Sequence, residues 1–246
     1  MNKTVLITGG SRGIGKFTAI YLASKGYNVA FTYNNSKERA EKVLKQITDN
    51  GNNAFMVKCD ISDEEQVKNM VNQVVLTYGR IDILINNAAV CYDSLFYEKT
   101  VEDFKNTLNV NVLGTFLVSK YVGEIMTNNK YGKIVNISST NGINTYYPMC
   151  IDYDASKSAI ISLTHNLAMQ LAPYVNVNCI APGFIATESE ISDMDEEFIK
   201  LEEEKIFLKR AGTEQDIANL IEFLISDKAS YINSSVIRID GGMYGE

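Results

Sequence analysis

Tyr153 and Lys157 stand four residues apart in the run Tyr-Asp-Ala-Ser-Lys. On a helix that spacing puts a phenol and an ammonium on one face. A free tyrosine titrates at about 10 and shuttles protons poorly at neutral pH. Bringing it to about 7 takes roughly 4 kcal/mol, at about 1.36 kcal/mol per unit. An ammonium about 4 Å away supplies on the order of 4 kcal/mol at an effective dielectric of about 20. Lys157 is therefore sufficient, in magnitude, to make Tyr153 a general acid or base. Taken alone, the pair also reads as an exposed tyrosine beside a solvated lysine, and only the rest of the chain decides between the two.

The elements that must position such a pair follow from the hydrophobic pattern. Val5-Leu-Ile is a continuous apolar run of the kind that forms a buried parallel strand. It leads into Thr8-Gly9-Gly10-Ser11-Arg12-Gly13-Ile14-Gly15 and then a helical pattern ending near Gly26. Strand, glycine turn and helix together form the setting of a phosphate-binding loop. Gly9 permits the turn, and Gly13 and Gly15 let a pyrophosphate approach the helix N-terminus. A simple tight turn is the alternative. The second strand, Asn28 to Tyr33, ends in Thr32-Tyr33-Asn34-Asn35-Ser36 without an Asp or Glu. An acidic residue there would bind an adenosine ribose. Its absence, with Arg12 in the loop and Asn34 and Ser36 as donors, favours a 2′-phosphate and hence NADP over NAD. The alternative for Arg12 and the asparagines is a solvated rim.

Further strands are expected at Ala54 to Val57, Ile81 to Ile85, Lys133 to Ile137, Val175 to Ile180 and Ser235 to Ile239, with helices between them. The third runs on to Asp60 and Ile61, where the Asp60 carboxylate could accept from an adenine amino group; helix capping by this region is the alternative. Asn86-Asn87-Ala88-Ala89 offers small residues for close passage of a cofactor. The alternation predicts a single Rossmann-like α/β domain over 1–246, a doubly wound parallel sheet of about seven strands with helices on both faces. Asn109-Val-Asn111-Val interrupts a long helical region with polar residues, as a functional feature or a packing kink. The acidic stretch from Glu188 to Gly212 follows a strand end and is a candidate mobile lid.

Composition narrows the classes. The 246 residues carry a net charge of -7 and a pI of about 4.9, without a basic stripe, which argues against nucleic acid. No apolar run is long enough to span a membrane, and no signal segment precedes the first strand, so a cytoplasmic protein is expected. Cys59, Cys91, Cys150 and Cys179 lack CxxC spacing, which predicts free thiols and no metal site. His165 reads as structural, Glu202-Glu-Glu204 as a solvated face, and Tyr146 and Tyr147 as pocket or packing residues.

Thr8-Gly9-x-x-x-Gly13-x-Gly15, Asn86-Asn-Ala, Asn111, Ser139, Tyr153-x-x-x-Lys157 and Pro182-Gly-x-x-x-Thr187 occur in the order and spacing of the short-chain dehydrogenases/reductases. The chain resembles that family over its whole length, and within it the 3-oxoacyl-(acyl-carrier-protein) reductases. The resemblance implies that Tyr153 donates a proton to a substrate carbonyl as NADPH delivers hydride. Ser139 would stabilise the developing oxyanion, Lys157 would lower the tyrosine pKa and hold the nicotinamide ribose, and Asn111 would support a water relay. Gly9, Ser11, Arg12, Gly13, Ile14 and Gly15 would bind the dinucleotide with Asn34, Ser36, Asp60, Ile61, Asn87 and Ala88. Pro182, Gly183, Ile185 and Thr187 would orient the nicotinamide. It further implies a homotetramer and an acyl carrier protein as a possible partner. Three departures bear on substrate. Ala89 replaces the usual glycine, the segment from Ser139 to Tyr153 is about one residue longer than in similar sequences, and the turn Ala172-Pro-Tyr-Val175 lacks a basic residue for an acidic carrier. Oxidation of a sugar, polyol or steroid alcohol by the same residues, and a non-catalytic cofactor sensor, are the rival readings.

Overall fold

In the computed structural model, residues 2–144, 147–187 and 194–243 are described. Seven parallel strands form one sheet in the order β3-β2-β1-β4-β5-β6-β7. They are β1 (Thr4–Ile7), β2 (Asn28–Tyr33), β3 (Ala54–Lys58), β4 (Ile83–Asn86), β5 (Gly132–Ile137), β6 (Val175–Pro182) and β7 (Val236–Ile239). The helices are α1 (Gly13–Ser24), α2 (Lys37–Asp49), α3 (Glu64–Tyr78), α4 (Val101–Leu108), α5 (Thr115–Asn128) and α6 (Ile151–Gln170). After β6 come α7 (Glu196–Glu204) and α8 (Glu214–Ile225).

Strand alternation divides the core. Val5 and Ile7 point to the face covered by α1, α2 and α8, where Leu22, Val43 and Ile221 pack. Leu6 points to the other, with Met70 of α3, Val122 of α5 and Ala168 of α6. Burial of both faces explains why β1 is a solid apolar run instead of an alternating one. At about 25 cal/mol per Å2 of apolar surface, such side chains each contribute roughly 1.5–3 kcal/mol.

Helix starts follow local chemistry. Thr100 and Asp103 form a reciprocal capping box at α4, and Thr213 and Asp216 do the same at α8. Asp63 caps α3 by accepting from Gln66 N–H at 3.1 Å. The polar interruption between α4 and α5 is a π-helical turn, Asn109–Gly114. Such turns are rare and concentrate at functional sites. The strand predicted to begin at Ile81 begins at Ile83, and β6 continues to Pro182 because β7 pairs with it that far.

Part of the expected lid, residues 188–193, lies outside the described residues, as does Tyr146. The remainder holds α7, capped by Asp195. It is tied to the body by a parallel bridge between Ile185 and Gly212 and an antiparallel one between Ile206 and Met243. Among the described residues no helix is long and apolar enough to cross a membrane.

Candidate active site

The sheet reverses its winding between β1 and β4, and a crevice opens there at the strands' carboxyl ends. The glycine loop after β1 is held on both sides. Gly9 N–H donates to Thr32 Oγ at 3.1 Å and Gly10 N–H to Thr32 C=O at 2.8 Å. From the other side, Asn87 Nδ2 donates to the carbonyls of Thr8 at 3.0 Å and Gly9 at 3.1 Å. Gly9 has φ +70, and a Cβ there would lie 2.9 Å from the Ala88 backbone. A Cβ on Gly15 would fall 2.3 Å from the Gly9 carbonyl. Gly15 therefore allows α1 to close on the loop, and it does not itself line the cleft.

The catalytic-type residues arrive from β5 and α6. Lys157 is 3% exposed, and its Nζ donates to the Ile137 carbonyl at 2.8 Å. Nζ also lies 5.2 Å from the Tyr153 ring centroid. Burial lowers its pKa to about 8. The ammonium is thus costlier to hold than the bare spacing of the pair conveys. Ser138 Oγ donates to the Lys157 carbonyl at 2.7 Å, pinning α6 to the end of β5. Ser139, Tyr153 and Lys157 then share a pocket of about 150 Å3 with Asn87, Pro182, Gly183 and Ile185.

That pocket opens on a cleft of about 1190 Å3. At one end lie Ser11, Arg12, Gly13 and Ile14 of the loop with Asn34 and Ser36. Asp60 and Ile61 follow, then Ala88, and at the far end Tyr153 and Thr187. One Asp60 carboxylate oxygen accepts from Ser62 N–H at 3.0 Å and Ser62 Oγ at 2.6 Å, so it stabilises the turn after β3 as well as facing the cleft. Residues from six segments distant in sequence are therefore brought together.

Asn111 behaves differently from its expected setting. It is 1% exposed and lines neither cavity. Its Oδ1 accepts from Val90 N–H at 2.8 Å, and its Nδ2 donates to Val90 C=O at 3.0 Å and Ser156 Oγ at 2.9 Å. The π-helical turn thus aims a side chain that clamps the loop after β4 onto α6.

Several supports were not legible in sequence. Asp152 is buried and pairs with Lys99 at 3.0 Å and Thr107 Oγ at 2.7 Å. Burial raises its pKa, but donation from Thr107 and Lys99 outweighs that and holds it below the usual value. Asp154 accepts from Asn141 Nδ2 at 2.7 Å and Tyr147 N–H at 3.1 Å. Tyr153 is therefore flanked by two carboxylates, each fastening α6 to a different loop. Glu202 and Lys205 line the cleft, and Glu203 accepts from Ala211 N–H at 3.0 Å, so the glutamate run is more than a solvated face. The four cysteines are free, as expected, but Cys91 and Cys150 gather with Asp93 on the cleft wall, a cluster their spacing did not indicate. His165 is exposed, with its Nδ1 2.9 Å from Ser234 Oγ.

A family profile described as Enoyl-(Acyl carrier protein) reductase matches residues 9–244. The 3-oxoacyl-[acyl-carrier-protein] reductase FabG of Staphylococcus epidermidis is 38% identical over 99% of this chain and 100% of its own. The chain belongs to the short-chain dehydrogenase/reductase family. Among solved structures, a short-chain dehydrogenase/reductase of Serratia marcescens superposes with a TM-score of 0.90 at 34% identity, covering 98% of this chain and 97% of that one. A structure titled ElxO with NADP bound gives 0.89 at 34% identity, covering 98% of each. Like other short-chain dehydrogenases/reductases, the protein is an oxidoreductase.

Burying the Lys157 charge, from its fall to about 8, costs on the order of 3 kcal/mol at neutral pH. Lys157→Met should therefore melt several degrees higher than the parent at pH 7. Between about 8 and 10.5 the unfolded parent holds more protons than the folded one, so parent stability rises with pH. The gap should shrink across that window and close above it. Melting curves in which the gap does not depend on pH would refute this account of Lys157.

Proposed function

We propose that the protein reduces a ketone or 3-oxoacyl-type β-keto group to the secondary alcohol with NADPH. The observation that carries this reading is the convergence of Ser139, Tyr153 and Lys157 on one small pocket at the end of a dinucleotide-sized cleft. The residues fit the cofactor. α1 begins at the glycine loop and has no acidic residue in its first turn, so its N-terminus favours a pyrophosphate. NADPH, when bound, supplies the hydride. Ser139 Oγ is positioned to hydrogen-bond the substrate oxygen, and preorganised donors of this kind stabilise developing charge. Tyr153 supplies the proton to that oxygen. Lys157 favours the tyrosinate left behind and holds the ribose. Asn111 acts by fixing Val90 and Ser156, and a proton relay along this side of the site is part of the proposal.

Relatives named 3-oxoacyl-[acyl-carrier-protein] reductase support an acyl thioester as the substrate class, with an acyl carrier protein as the partner that brings it. Assembly is proposed through α4, α5 and α6, where Val101, Phe104, Phe116 and Ile151 are exposed. A cytoplasmic homotetramer is the expected form. Light scattering at micromolar concentration should give four times the chain mass of 27.4 kDa; a monomer would contradict the assembly and leave the chemistry untouched.

Tyr153→Phe should lose about 10²-fold or more in kcat, with cofactor affinity nearly unchanged. NADPH oxidation recorded with 3-oxoacyl thioesters and simple ketones checks both parts. Near-normal turnover in this variant would remove Tyr153 from the mechanism, and an absence of turnover with every carbonyl would favour a sensor.

Cofactor choice rests on Arg12, Asn34 and Ser36. Among the described residues Arg12 makes no ion pair. A hydrogen bond to a charged group contributes about 1.5–3 kcal/mol, roughly 10- to 150-fold. NADPH should bind at least about tenfold tighter than NADH, and Arg12→Ala should remove most of the difference. Tyr33 lines the cleft but is only 8% exposed, so a carboxylate placed there would be largely buried. Asn34→Asp is the cleaner variant and should move the preference towards NADH. Equal kcat/KM for the two cofactors in the parent would overturn the loop reading.

A further inference from the structure

Four cysteines are present, and their environments differ sharply. Cys59 and Cys179 are buried, and burial pushes their thiols up to about 12 and about 11. Both are inert by that measure. Cys91 is exposed on the cleft wall, and Cys150 is 5% exposed at the N-cap of α6. Their Sγ atoms lie 2.8 Å apart, inside ordinary sulfur–sulfur contact. The backbone keeps them together, since Ser94 N–H donates to the Met149 carbonyl at 3.1 Å. Cys150 Sγ also donates to Asp93 Oδ1 at 2.9 Å. Contact with Cys91, burial and Asp93 push its thiol up, so Cys150 is the resolving thiol and releases its proton through Asp93 only as it attacks.

We propose that Cys91 and Cys150 form a reversible disulfide under peroxide, a modification site in the cleft wall separate from the hydride chemistry. Bond formation needs the sulfurs to close only to about 2.05 Å. Exposed Cys91, as its thiolate, attacks a peroxide oxygen; the O–O bond breaks, and a sulfenic acid and hydroxide result. Cys150 sulfur then attacks Cys91 sulfur. The S–O bond breaks, the Cys150 proton passes through Asp93 to the departing hydroxide, and water leaves. In sum two thiols and one hydrogen peroxide give a disulfide and two waters. A dithiol reverses the step by exchange.

The geometry argues for a disulfide over a metal. Two thiolates on a tetrahedral zinc at about 2.3 Å each stand well over 3 Å apart, whereas these sulfurs are in closer contact. The bond would join the loop after β4 to the first turn of the helix carrying Tyr153, three residues before it. It closes a chain segment of nearly sixty residues, and loops of that size give large stabilisation.

The full-length protein should be treated with hydrogen peroxide, quenched, and mapped by mass spectrometry without reduction. A peptide pair joined through Cys91 and Cys150, lighter by two hydrogens, is expected. The melting temperature should rise by about 5 °C or more and return with dithiothreitol. Cys91→Ser and Cys150→Ser should each abolish the cross-link and the shift. The exposed Cys91 position makes the first variant safe for folding. Sulfinic or sulfonic acid at Cys91 without a cross-link would overturn the proposal. So would stoichiometric zinc bound to the purified protein and shielding both thiols from peroxide.

Discussion

The buried ammonium of Lys157 is the constraint on which the site depends. A lysine with 3% exposure is expensive, and its pKa of about 8 records that expense. Few structural solutions hold it. One carbonyl, Ile137, accepts from Nζ at the last residue of β5, and the Tyr153 ring lies beside it. Because β5 is a central strand, its carboxyl end cannot shift without disturbing β4 and β6. The charge is therefore placed by the most rigid part of the fold, with α6 fastened to the same strand end through Ser138. A loop-borne lysine would have relaxed towards water.

Asparagines carry this rigidity across the sheet. Asn86 and Asn136 are register partners at the ends of β4 and β5. Asn86 Nδ2 donates to Asn136 Oδ1 at 2.8 Å and Ser119 Oγ at 2.9 Å, and Asn136 Nδ2 donates to Thr164 Oγ at 2.9 Å. One buried chain thus ties two strands to α5 and α6. Buried networks of this kind specify a unique arrangement, and one member here, Asn86 Oδ1, is buried without a partner among the described residues, at a cost of about 1–3 kcal/mol. Next along, Asn87 holds the glycine loop, and Asn111 holds Val90. Asn87 and Asn111 thus make backbone hydrogen bonds where strands end and loops begin, while Asn86 and Asn136 link side chains behind them.

The sheet, the glycine loop and the Tyr153–Lys157 pair were legible because each rests on local spacing. A continuous apolar run needs two covered faces, and four residues make one helical turn face. Partners distant in the chain were not legible. Nothing local to Asp152 indicates Lys99, and nothing local to Cys91 indicates Cys150, because hydrophobic period reports which face is buried and not what meets it. Asn111 shows the boundary well. Its polarity inside an apolar helix marked a special position, but the π-helical turn and the three bonds of its side chain follow from tertiary packing against α6. Tyr33 is a mixed case. Its place at the strand end does put it on the cleft, but its 8% exposure follows from packing in the core beneath α2.

That last case bears on how such a cleft can change its cofactor without changing its fold. At the end of β2, Tyr33 belongs to the core cluster with Ala40 and Val43 and also lines the cleft, so a carboxylate there would be largely desolvated. The next residues, Asn34 to Ser36, are exposed or half-buried and line the cleft. Charge can be added or removed there at little cost to stability, as at most surface positions. Arg12, at the N-cap of α1, lines the same cleft and makes no ion pair among the described residues. On the proposed reading, cofactor discrimination rests mainly on this rim, whose side chains are largely outside the core. The residues proposed to transfer the proton line the small pocket beside that cleft, after β5 and on α6, where Lys157 Nζ and Ser138 Oγ are bound to backbone carbonyls. One end of the site is free to vary because the other is not.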